Sequence, residues 1–123
     1  MRKLDILVPV YNEGEEVLKD LFNSLQIQQN VDLKNDVGVI VCCDGGTTIL
    51  SKKFINRYPF KIEFYMCEHK GVSATRNACL DHSQAEYVMW CDADDIFVSA
   101  CGLYIIFQEI AKGFKTLSSL FVE

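Results

Sequence analysis

Four short apolar runs, rich in Val, Ile, Phe and Tyr, predict β-strands because such residues suit a pleated and at least half-buried backbone. The second run is almost wholly apolar, which is typical of a strand that is covered on both faces. The predicted strands are Leu4–Val10, Val37–Cys43, Ile62–Cys67 and Tyr87–Cys91.

Stretches with apolar residues at helical spacing separate the strands and predict four helices. The clearest is the first, in which one apolar face runs from Val17 to Leu25. Asn12 followed by Glu15 predicts a capping box at its start. The predicted helices are Glu15–Gln28, Thr48–Tyr58, Val72–His82 and Val98–Lys112, and Gln29–Asp36 is a predicted loop.

Strand and helix alternate four times, which predicts an α/β fold with a largely parallel sheet. In such sheets ligands bind in the crevice beyond the carboxyl ends of the strands. Polar and acidic residues stand at three of these ends, namely Tyr11-Asn12-Glu13, Asp44-Gly45-Gly46-Thr47 and Asp92-Ala93-Asp94-Asp95. The sequence therefore predicts one polar rim of the sheet as its functional edge.

Length and charge narrow the class of protein. The chain has 123 residues, of which 50% are hydrophobic, and this is enough for one compact domain. Its formal net charge is −5, and its 12 Lys and Arg residues are scattered along the sequence. Because no basic stripe is present to contact a phosphate backbone, nucleic-acid binding is not expected.

The six cysteines are expected to be reduced and mostly buried thiols, because most lie in apolar, strand-like runs and no C-x-x-C pair occurs. Asp5 and Pro9 interrupt what would be the apolar core of a signal peptide. The longest uncharged stretch, Ile96–Gln108, is shorter than the roughly 20 residues that a membrane span needs. We therefore expect a cytoplasmic protein, with peripheral contact to a membrane left open.

Asp92, Asp94 and Asp95 place three carboxylates directly after the fourth predicted strand. Two carboxylates about 5 Å apart repel each other by roughly 3 kcal/mol at an effective dielectric constant of about 20. A divalent cation removes this repulsion, and hard oxygen ligands suit Mg²⁺ or Mn²⁺. The alternative is a solvated acidic turn in which Asp95 or Ser99 caps the last helix.

Other polar residues at the rim have two interpretations each. Asp44 ends a buried strand and could accept a hydrogen bond from a nucleobase or a ribose, or belong to an ordinary turn before a helix that Thr47 or Thr48 caps. Lys70 and Arg76 could offset phosphate charge, with the dipole of the third helix adding to them at its N-terminus, or Arg76 could be a surface residue of an amphipathic helix. Neither G-x-G-x-x-G nor G-x-x-x-x-G-K-[ST] occurs, so a bound nucleotide diphosphate would need a metal to hold its phosphates.

Four motifs follow one another along the chain: Val8-Pro9-Val10-Tyr11-Asn12-Glu13, Asp44-Gly45-Gly46-Thr47, Lys70-Gly71-Val72-Ser73-Ala74-Thr75-Arg76-Asn77 and Glu86-Tyr87-Val88-Met89-Trp90-Cys91-Asp92-Ala93-Asp94-Asp95. In order and spacing they resemble the family-two glycosyltransferases of the GT-A fold. The resemblance covers nearly the whole chain up to about Phe97. It implies a Rossmann-like GT-A three-layer sandwich with a mostly parallel sheet.

The resemblance also implies roles for particular residues. Pro9 and Tyr11 would flank the nucleotide base, and Asp44 would contact it. In the D-x-D motif, Asp94 would ligate Mn²⁺ or Mg²⁺, and Asp92 would orient the ribose or the metal. The residues implied in nucleotide-sugar binding are Pro9, Tyr11, Glu13 near the base, Asp44, Gly71 and Arg76 near the ribose and diphosphate, and Asp92.

The implied reaction moves a sugar from a nucleotide donor, typically a UDP-sugar, to the hydroxyl of a glycan, lipid or protein acceptor, with inversion. The family's catalytic domain continues well past its D-x-D motif, so this chain resembles a donor-binding half truncated after that motif. Glu109 lies within a predicted helix, and no catalytic base is assigned. The apolar segment Phe114–Val122 is expected to be exposed and to cause self-association.

Two other hypotheses stand beside the glycosyltransferase. One is a non-catalytic nucleotide-sugar-binding or assembly module that uses the same fold without the acceptor half. The other is a haloacid-dehalogenase-type phosphatase, because an apolar strand followed by D-x-D also opens that family. In this chain the motif comes too late to leave room for the later lysine and acids of such a site.

Overall fold

The computed structural model describes residues 1–68 and 71–113. Its four strands agree with the predicted ones to within one residue at each end. Lys70 and the segment Phe114–Val122, with the self-association expected of it, lie outside the described residues. The elements are β1 (Leu4–Val10), α1 (Glu15–Gln26), α2 (Leu33–Asp36), β2 (Val37–Asp44), α3 (Lys52–Ile55), β3 (Lys61–Cys67), α4 (Val72–His82), β4 (Tyr87–Trp90) and α5 (Gly102–Ala111).

The strands form one sheet in the order β3-β2-β1-β4, and every neighbouring pair is parallel. β1 is therefore flanked on both sides, with Val10 paired to Cys43 of β2 and Leu7 paired to Trp90 of β4. The helices before β2 and β3 pack on one face, whereas α4, before β4, packs on the other. The chain therefore changes face after β3, and the carboxyl ends of the parallel strands form the edge at which such sheets bind ligands.

Two apolar cores, one on each face of the sheet, make the domain three layers thick. The smaller core joins Leu7, Ile40 and Cys42 of the sheet to Cys79 of α4. β2 is buried along its whole length because it is covered on both faces, as its apolar sequence predicts. The predicted three-layer α/β fold is therefore confirmed. The larger core includes Leu18, Leu21, Phe22 and Leu25 of α1, Phe54 of α3, and Leu103 and Ile106 of α5.

The thiols follow the prediction from the sequence. All six cysteines are free, and Cys42, Cys43, Cys79 and Cys91 are buried. Among the described residues, none of the helices has both the length and the apolar character that crossing a bilayer requires. The cytoplasmic location remains a prediction.

Two short helices differ from the predicted elements because local side chains decide where they begin. α3 covers only Lys52–Ile55, since the Ser51 hydroxyl accepts a hydrogen bond from Phe54 N at 3.1 Å and caps the helix there. Capping of this helix by Thr47 or Thr48 is therefore wrong. α2 lies within the predicted loop, where the Asp32 side chain accepts a hydrogen bond from Asn35 N.

The last helix begins at Gly102, later than the predicted Val98, because a side chain just beyond the end of α1 holds its start. Gln28 Oε1 accepts a hydrogen bond from Leu103 N at 2.9 Å, and Gln28 Nε2 donates to the carbonyl of Ser99 at 2.7 Å. A helix start needs such acceptors for its unpaired N–H groups. The predicted capping by Asp95 or Ser99 is therefore wrong. The side-chain amide of Gln28, 75 positions before Leu103 in the sequence, caps the helix instead.

A buried ion pair closes the amino edge of the sheet. The Asp5 carboxylate is fully buried and accepts hydrogen bonds from Arg2 Nε at 2.7 Å and from the Ser83 hydroxyl at 2.8 Å. Arg2 Nη2 also donates to Glu63 Oε2 at 3.0 Å. A Cβ at Gly38 would lie 2.5 Å from both Arg2 Nε and Asp5 Oδ1, so glycine leaves room for this pair.

The hydrogen bonds of this cluster set the charge of Asp5. Burial alone would raise the pKa of Asp5, but the hydrogen bonds from Arg2 and Ser83 outweigh burial and hold the pKa below its usual 3.8. The ionised form of the Asp5 carboxylate is therefore more stable in the folded protein than in the unfolded chain. This contribution to stability is fully present above the unfolded pKa and is lost as the pH falls through the lower, folded pKa.

We predict that Asp5→Asn lowers the free energy of unfolding at neutral pH by about 2–4 kcal/mol, because it leaves the partly buried Arg2 without its main counter-charge. The difference from the wild type should shrink below about pH 4, where the wild type loses the same interaction. Urea unfolding followed by circular dichroism across this pH range measures both effects.

Asp36→Asn is the matched control, because Asp36 pairs with Lys3 at 3.7 Å on the surface. Its loss should change the unfolding free energy by less than about 1 kcal/mol. A gap between Asp5→Asn and the wild type that stays constant into the acidic range would contradict the role given to this pair.

Candidate functional site

The polar rim lies where the sequence predicts it, at the carboxyl ends of β1, β2 and β4. β1 lies between β2 and β4, so these two strands are about 10 Å apart across the sheet, and β4 ends beside Leu7 of β1 whereas β2 continues past Val10. One polar group surrounds Asp44 at the end of β2. The other is the segment Asp92–Asp95 that follows β4, called the acidic loop below. The end of β1 and Tyr11 lie between the two groups.

Side chains join the loops that follow β1 and β2. Asn12 Oδ1 accepts a hydrogen bond from Thr47 N at 3.1 Å. The hydroxyl of Thr48, which is 2% exposed, donates to the main-chain oxygens of Tyr11 at 3.1 Å and Glu13 at 2.7 Å. Sequence reasoning missed this function of Asn12 and Thr48, since each residue type suits a helix cap equally well.

The predicted capping box is wrong for the same reason. Asn12 bonds across to Thr47, and α1 begins after Gly14 without a side-chain cap. Glu15, the other member of the predicted box, accepts a hydrogen bond from Ser51 N at 2.7 Å through Oε2. Both side chains therefore tie α1 to the segment after β2 instead of closing a local turn.

Two glycines make this close approach of the loops feasible. Gly45 has a φ of 77° and Gly46 a φ of 32°, both in the left-handed region that favours glycine. A Cβ at Gly46 would lie 1.7 Å from the main-chain oxygen of Tyr11 and 2.9 Å from Asn12 Oδ1. The Gly-Gly pair after Asp44 thus lets the backbone pass directly against the loop that carries Tyr11.

The loop after β1 presents Tyr11 to the surface. Glu13 Oε2 accepts a hydrogen bond from Tyr11 N at 2.7 Å, which bends the loop back on itself. Tyr11 is 48% exposed, whereas Pro9, two residues before it on β1, is half-buried. Because side chains alternate along a strand, Pro9 shares the α4 face with Leu7. The structure therefore brings Pro9, Tyr11 and Glu13 together at the end of the central strand.

Asp44 and Gly71, two predicted site residues from separate motifs, are in contact. Asp44 is 7% exposed, and its Oδ1 accepts a hydrogen bond from Gly71 N at 3.3 Å. Gly71 has a φ of 100° and immediately precedes α4, and its carbonyl accepts a hydrogen bond from the Thr75 hydroxyl at 3.1 Å. The carboxylate thus lies at the positive end of the α4 dipole.

The acidic loop gathers its three carboxylates. One oxygen from each of Asp92, Asp94 and Asp95 lies within 4.8 Å of the others. A tight turn holds them, with Asp92 N donating to Asp95 Oδ2 at 2.8 Å and Asp95 N donating to the carbonyl of Asp92 at 3.0 Å. Asp92 and Asp94 are exposed, and Asp95 is half-buried. Gln28 holds the start of α5, so the capping in the alternative interpretation is wrong, whereas a solvated acidic turn stays an alternative to a metal site.

The chemistry of this group fits a hard divalent cation such as Mg²⁺ or Mn²⁺, which prefers carboxylate oxygens and retains water ligands on an open side. The neighbouring thiol is not a competing ligand. Burial, together with the negative charges of Asp95 and Asp92, raises the pKa of Cys91 to about 12. The thiol is 2% exposed and lies in the larger core, away from the exposed carboxylates. The carboxylates of Asp92 and Asp94, with Asp95 beside them, are therefore the groups available to a metal.

Arg76 reaches the same side of the rim from α4. Its guanidinium carbon lies 5.3 Å from the centroid of the Trp90 ring, in a cation–π contact. Trp90 is the last residue of β4 and immediately precedes Cys91 and the acidic loop. The sequence analysis gave Trp90 no role of its own. Its place as the one tryptophan of the chain, two residues before the D-x-D motif, could have indicated one.

Comparison with known proteins identifies relatives of the chain. The model of glycosyl transferase family 2 matches residues 5–116. The poly(ribitol-phosphate) beta-N-acetylglucosaminyltransferase TarS of Staphylococcus aureus is 29% identical over 96 residues, which make up 77% of this chain and 17% of that protein. The chain therefore spans about a sixth of the length of this curated relative.

Solved structures share the fold. The crystal structure of S. aureus TarS 1–349 in complex with UDP-GlcNAc matches with a TM-score of 0.72 at 24% identity, over 89% of this chain and 31% of that chain. The mannosyltransferase PcManGT from Pyrobaculum calidifontis, in complex with GDP-Man and Mn²⁺, matches with a TM-score of 0.64 at 20% identity, over 81% and 30%. The described sheet and helices thus correspond to part of each larger chain.

We predict that Gly46→Ala lowers the free energy of unfolding by about 2–4 kcal/mol, because the new Cβ collides with the Tyr11 backbone at a positive φ. Gly14→Ala is the matched control, since a Cβ at Gly14 meets no heavy atom within 4 Å and its φ is −107°. It should cost less than about 1 kcal/mol, as an N-cap change. Equal thermal unfolding of the two variants would contradict the described packing of the loops.

Proposed function

The chain belongs to glycosyl transferase family 2, and on that premise we propose that it binds the nucleotide-sugar donor of a sugar-transfer reaction. The observation that carries the proposal is the arrangement of the rim. A carboxylate at the start of α4 and a cluster of three carboxylates after β4 lie on either side of the end of β1. A nucleoside diphosphate is elongated and has a hydrogen-bonding base at one end and negative charge at the other.

The nucleoside end of the donor would lie between Tyr11 and Asp44. The exposed ring of Tyr11 offers a surface against which a base can stack, and Pro9 beneath it adds an apolar wall. A carboxylate has several lone pairs, so Asp44 can accept a hydrogen bond from a base N–H in addition to the one from Gly71. Glu13 supports this pocket through its bond to Tyr11 N.

The diphosphate end would lie at the acidic loop. Asp94 and Asp92 would hold Mn²⁺ or Mg²⁺, which when bound neutralises the charge that develops on the leaving diphosphate. Asp95 keeps the loop in its turn by accepting the hydrogen bond from Asp92 N at 2.8 Å. Arg76 brings a positive charge to the same side, and its planar guanidinium can bind phosphate oxygens in pairs.

The donor and the stereochemical outcome are proposed as a UDP-sugar and inversion, with the hydroxyl of a glycan, lipid or protein as the acceptor. The UDP-GlcNAc complex of TarS supports the choice of a UDP-sugar. Inversion requires a base that takes the proton of the acceptor hydroxyl. We assign none, because Glu109, on α5, pairs with Lys112 Nζ at 3.3 Å in the last turn of that helix.

A non-catalytic nucleotide-sugar-binding module is the second candidate. The observation in its favour is that the rim supplies groups for the donor, while the one carboxylate among the described residues after the acidic loop, Glu109, pairs with Lys112. Release of free sugar from a UDP-sugar, or its transfer to an added alcohol, would exclude this candidate. The phosphatase hypothesis has lost its basis, since the chain belongs to the glycosyl transferase family.

We predict that UDP raises the melting temperature by about 5–10 °C at roughly a hundred times its Kd, and only when Mn²⁺ or Mg²⁺ is present. Asp94→Ala should abolish this shift, because it removes the principal ligand of the cation. Differential scanning calorimetry with UDP alone, metal alone and both together measures the effect.

Asp20→Asn serves as the charge-matched control, since Asp20 is exposed on α1 away from the rim. It should retain the full shift. The proposal fails if neither UDP nor GDP, with either metal, changes the melting temperature of the wild type, or if Asp94→Ala responds as strongly as the wild type does.

A further inference from the structure

We propose that Trp90 is a positioning residue that holds the Arg76 guanidinium ready for the diphosphate of the donor. This inference rests on the proposed function. Arg76 is exposed on α4, and its guanidinium lies 5.3 Å from the centroid of the Trp90 ring. Among the residues that the structure describes, no carboxylate forms an ion pair with Arg76. Its charge is therefore held in place by an aromatic face and remains available to an anion.

Trp90 can act as a platform because its own position is fixed. It is the last residue of β4, where its backbone pairs with Leu7 of the central strand. Its half-buried side chain packs against the smaller core, which contains Cys42 of the sheet and Cys79 of α4. The same core anchors α4, from which Arg76 projects. The same core thus holds both Trp90 and the helix that carries Arg76.

The alternation of side chains places this pair beside the acidic loop. Cys91 and Ala93, which flank Asp92, are both buried in the larger core on the opposite face. Asp92 therefore projects to the same side as Trp90, about 7 Å further along the chain. A diphosphate held through a cation at Asp92 and Asp94 would come within reach of a guanidinium that rests on Trp90.

The platform solves an electrostatic problem of this rim. An arginine that is free to move near three clustered carboxylates is attracted to them, and an ion pair there would displace the cation from its ligands. An aromatic face attracts the guanidinium without neutralising its charge. Keeping Arg76 on Trp90 leaves the carboxylates to the metal and the guanidinium to the phosphates. The Trp90 indole thus prevents an ion pair between Arg76 and the acidic loop, which would block both metal binding and phosphate binding.

The test compares Trp90→Leu, Trp90→Phe and Arg76→Met by calorimetric titration with UDP in the presence of Mn²⁺. Trp90→Leu should weaken UDP binding about fivefold, and Trp90→Phe, which keeps an aromatic face, should stay within about twofold of the wild type. Arg76→Met should weaken it about tenfold or more. The double variant with Trp90→Leu and Arg76→Met should bind UDP no more weakly than Arg76→Met alone, since the indole acts only through the arginine.

Two controls separate positioning from a general structural role. Arg57→Met removes another cation–π arginine, whose guanidinium carbon lies 5.8 Å from the Phe54 ring centroid in a different part of the fold, and it should leave UDP affinity unchanged. Uridine, which lacks the phosphates, should bind equally to the wild type and to Trp90→Leu in ligand-observed NMR. Equal losses for uridine and UDP would overturn the inference, because they would indicate a damaged fold.

The fluorescence of Trp90, the one tryptophan of the chain, tests the contact even where Trp90→Leu does not fold. Arg76→Met should change the emission spectrum, and adding UDP with Mn²⁺ should change that of the wild type more than that of Arg76→Met. Identical spectra and responses in the two proteins would overturn the inference. If the wild type and Trp90→Leu bind UDP equally well, the inference about Trp90 is overturned and the proposed function is not. If the wild type binds no UDP, both are overturned.

Discussion

The position of β1 between two parallel neighbours is the constraint on which the rest of the structure depends. Parallel strands must be joined by crossovers, and here the chain passes over one face before β2 and β3 and over the other before β4. As a result, three strand ends and the start of α4 meet at one rim. Since β1 and β2 are almost wholly buried, a polar side chain on them can face a ligand only where the strand ends, as Asp44 does, and the acidic loop follows β4 at the same edge.

The two ends of the sheet treat negative charge in opposite ways. At the amino end, Asp5 is fully buried and its carboxylate is bonded to Arg2 and Ser83. At the carboxyl end, the acidic loop is hydrogen-bonded internally, and no lysine or arginine among the described residues pairs with it. A satisfied buried charge stabilises the fold, whereas clustered and exposed carboxylates are solvated and repel one another weakly, so they can bind an external cation. This contrast in partners distinguishes the acid that stabilises the fold from the acids that are proposed to bind a metal.

The strands and the location of the rim could be predicted from the sequence, because both follow from short-range patterns. An apolar run such as Val37–Cys43 has to be buried wherever it lies, so its extent is visible without the fold. The starts of α1 at Glu15 and α4 at Val72 could be predicted as well, whereas the start of α5 could not, because a residue far along the chain determines it. Gln28 just beyond the end of α1 holds the start of α5, and Asn12 bonds to Thr47 instead of capping its own helix. Asn12 does accept a hydrogen bond from a backbone N–H, as a capping residue would, but the donor belongs to another loop.

The same reasoning explains why the motifs identify Arg76 and not the residue that supports it. A motif records which side chains contact the ligand, and their spacing is local to one element. What keeps a charged side chain in place lies across the gap between elements, in this case on β4 opposite α4. Since Trp90 and Asp92 stand on the same side of the chain, one segment carries both the proposed support for Arg76 and an acid of the proposed metal site. The separation of charges at the rim therefore depends on the register of β4, which its pairing with β1 sets.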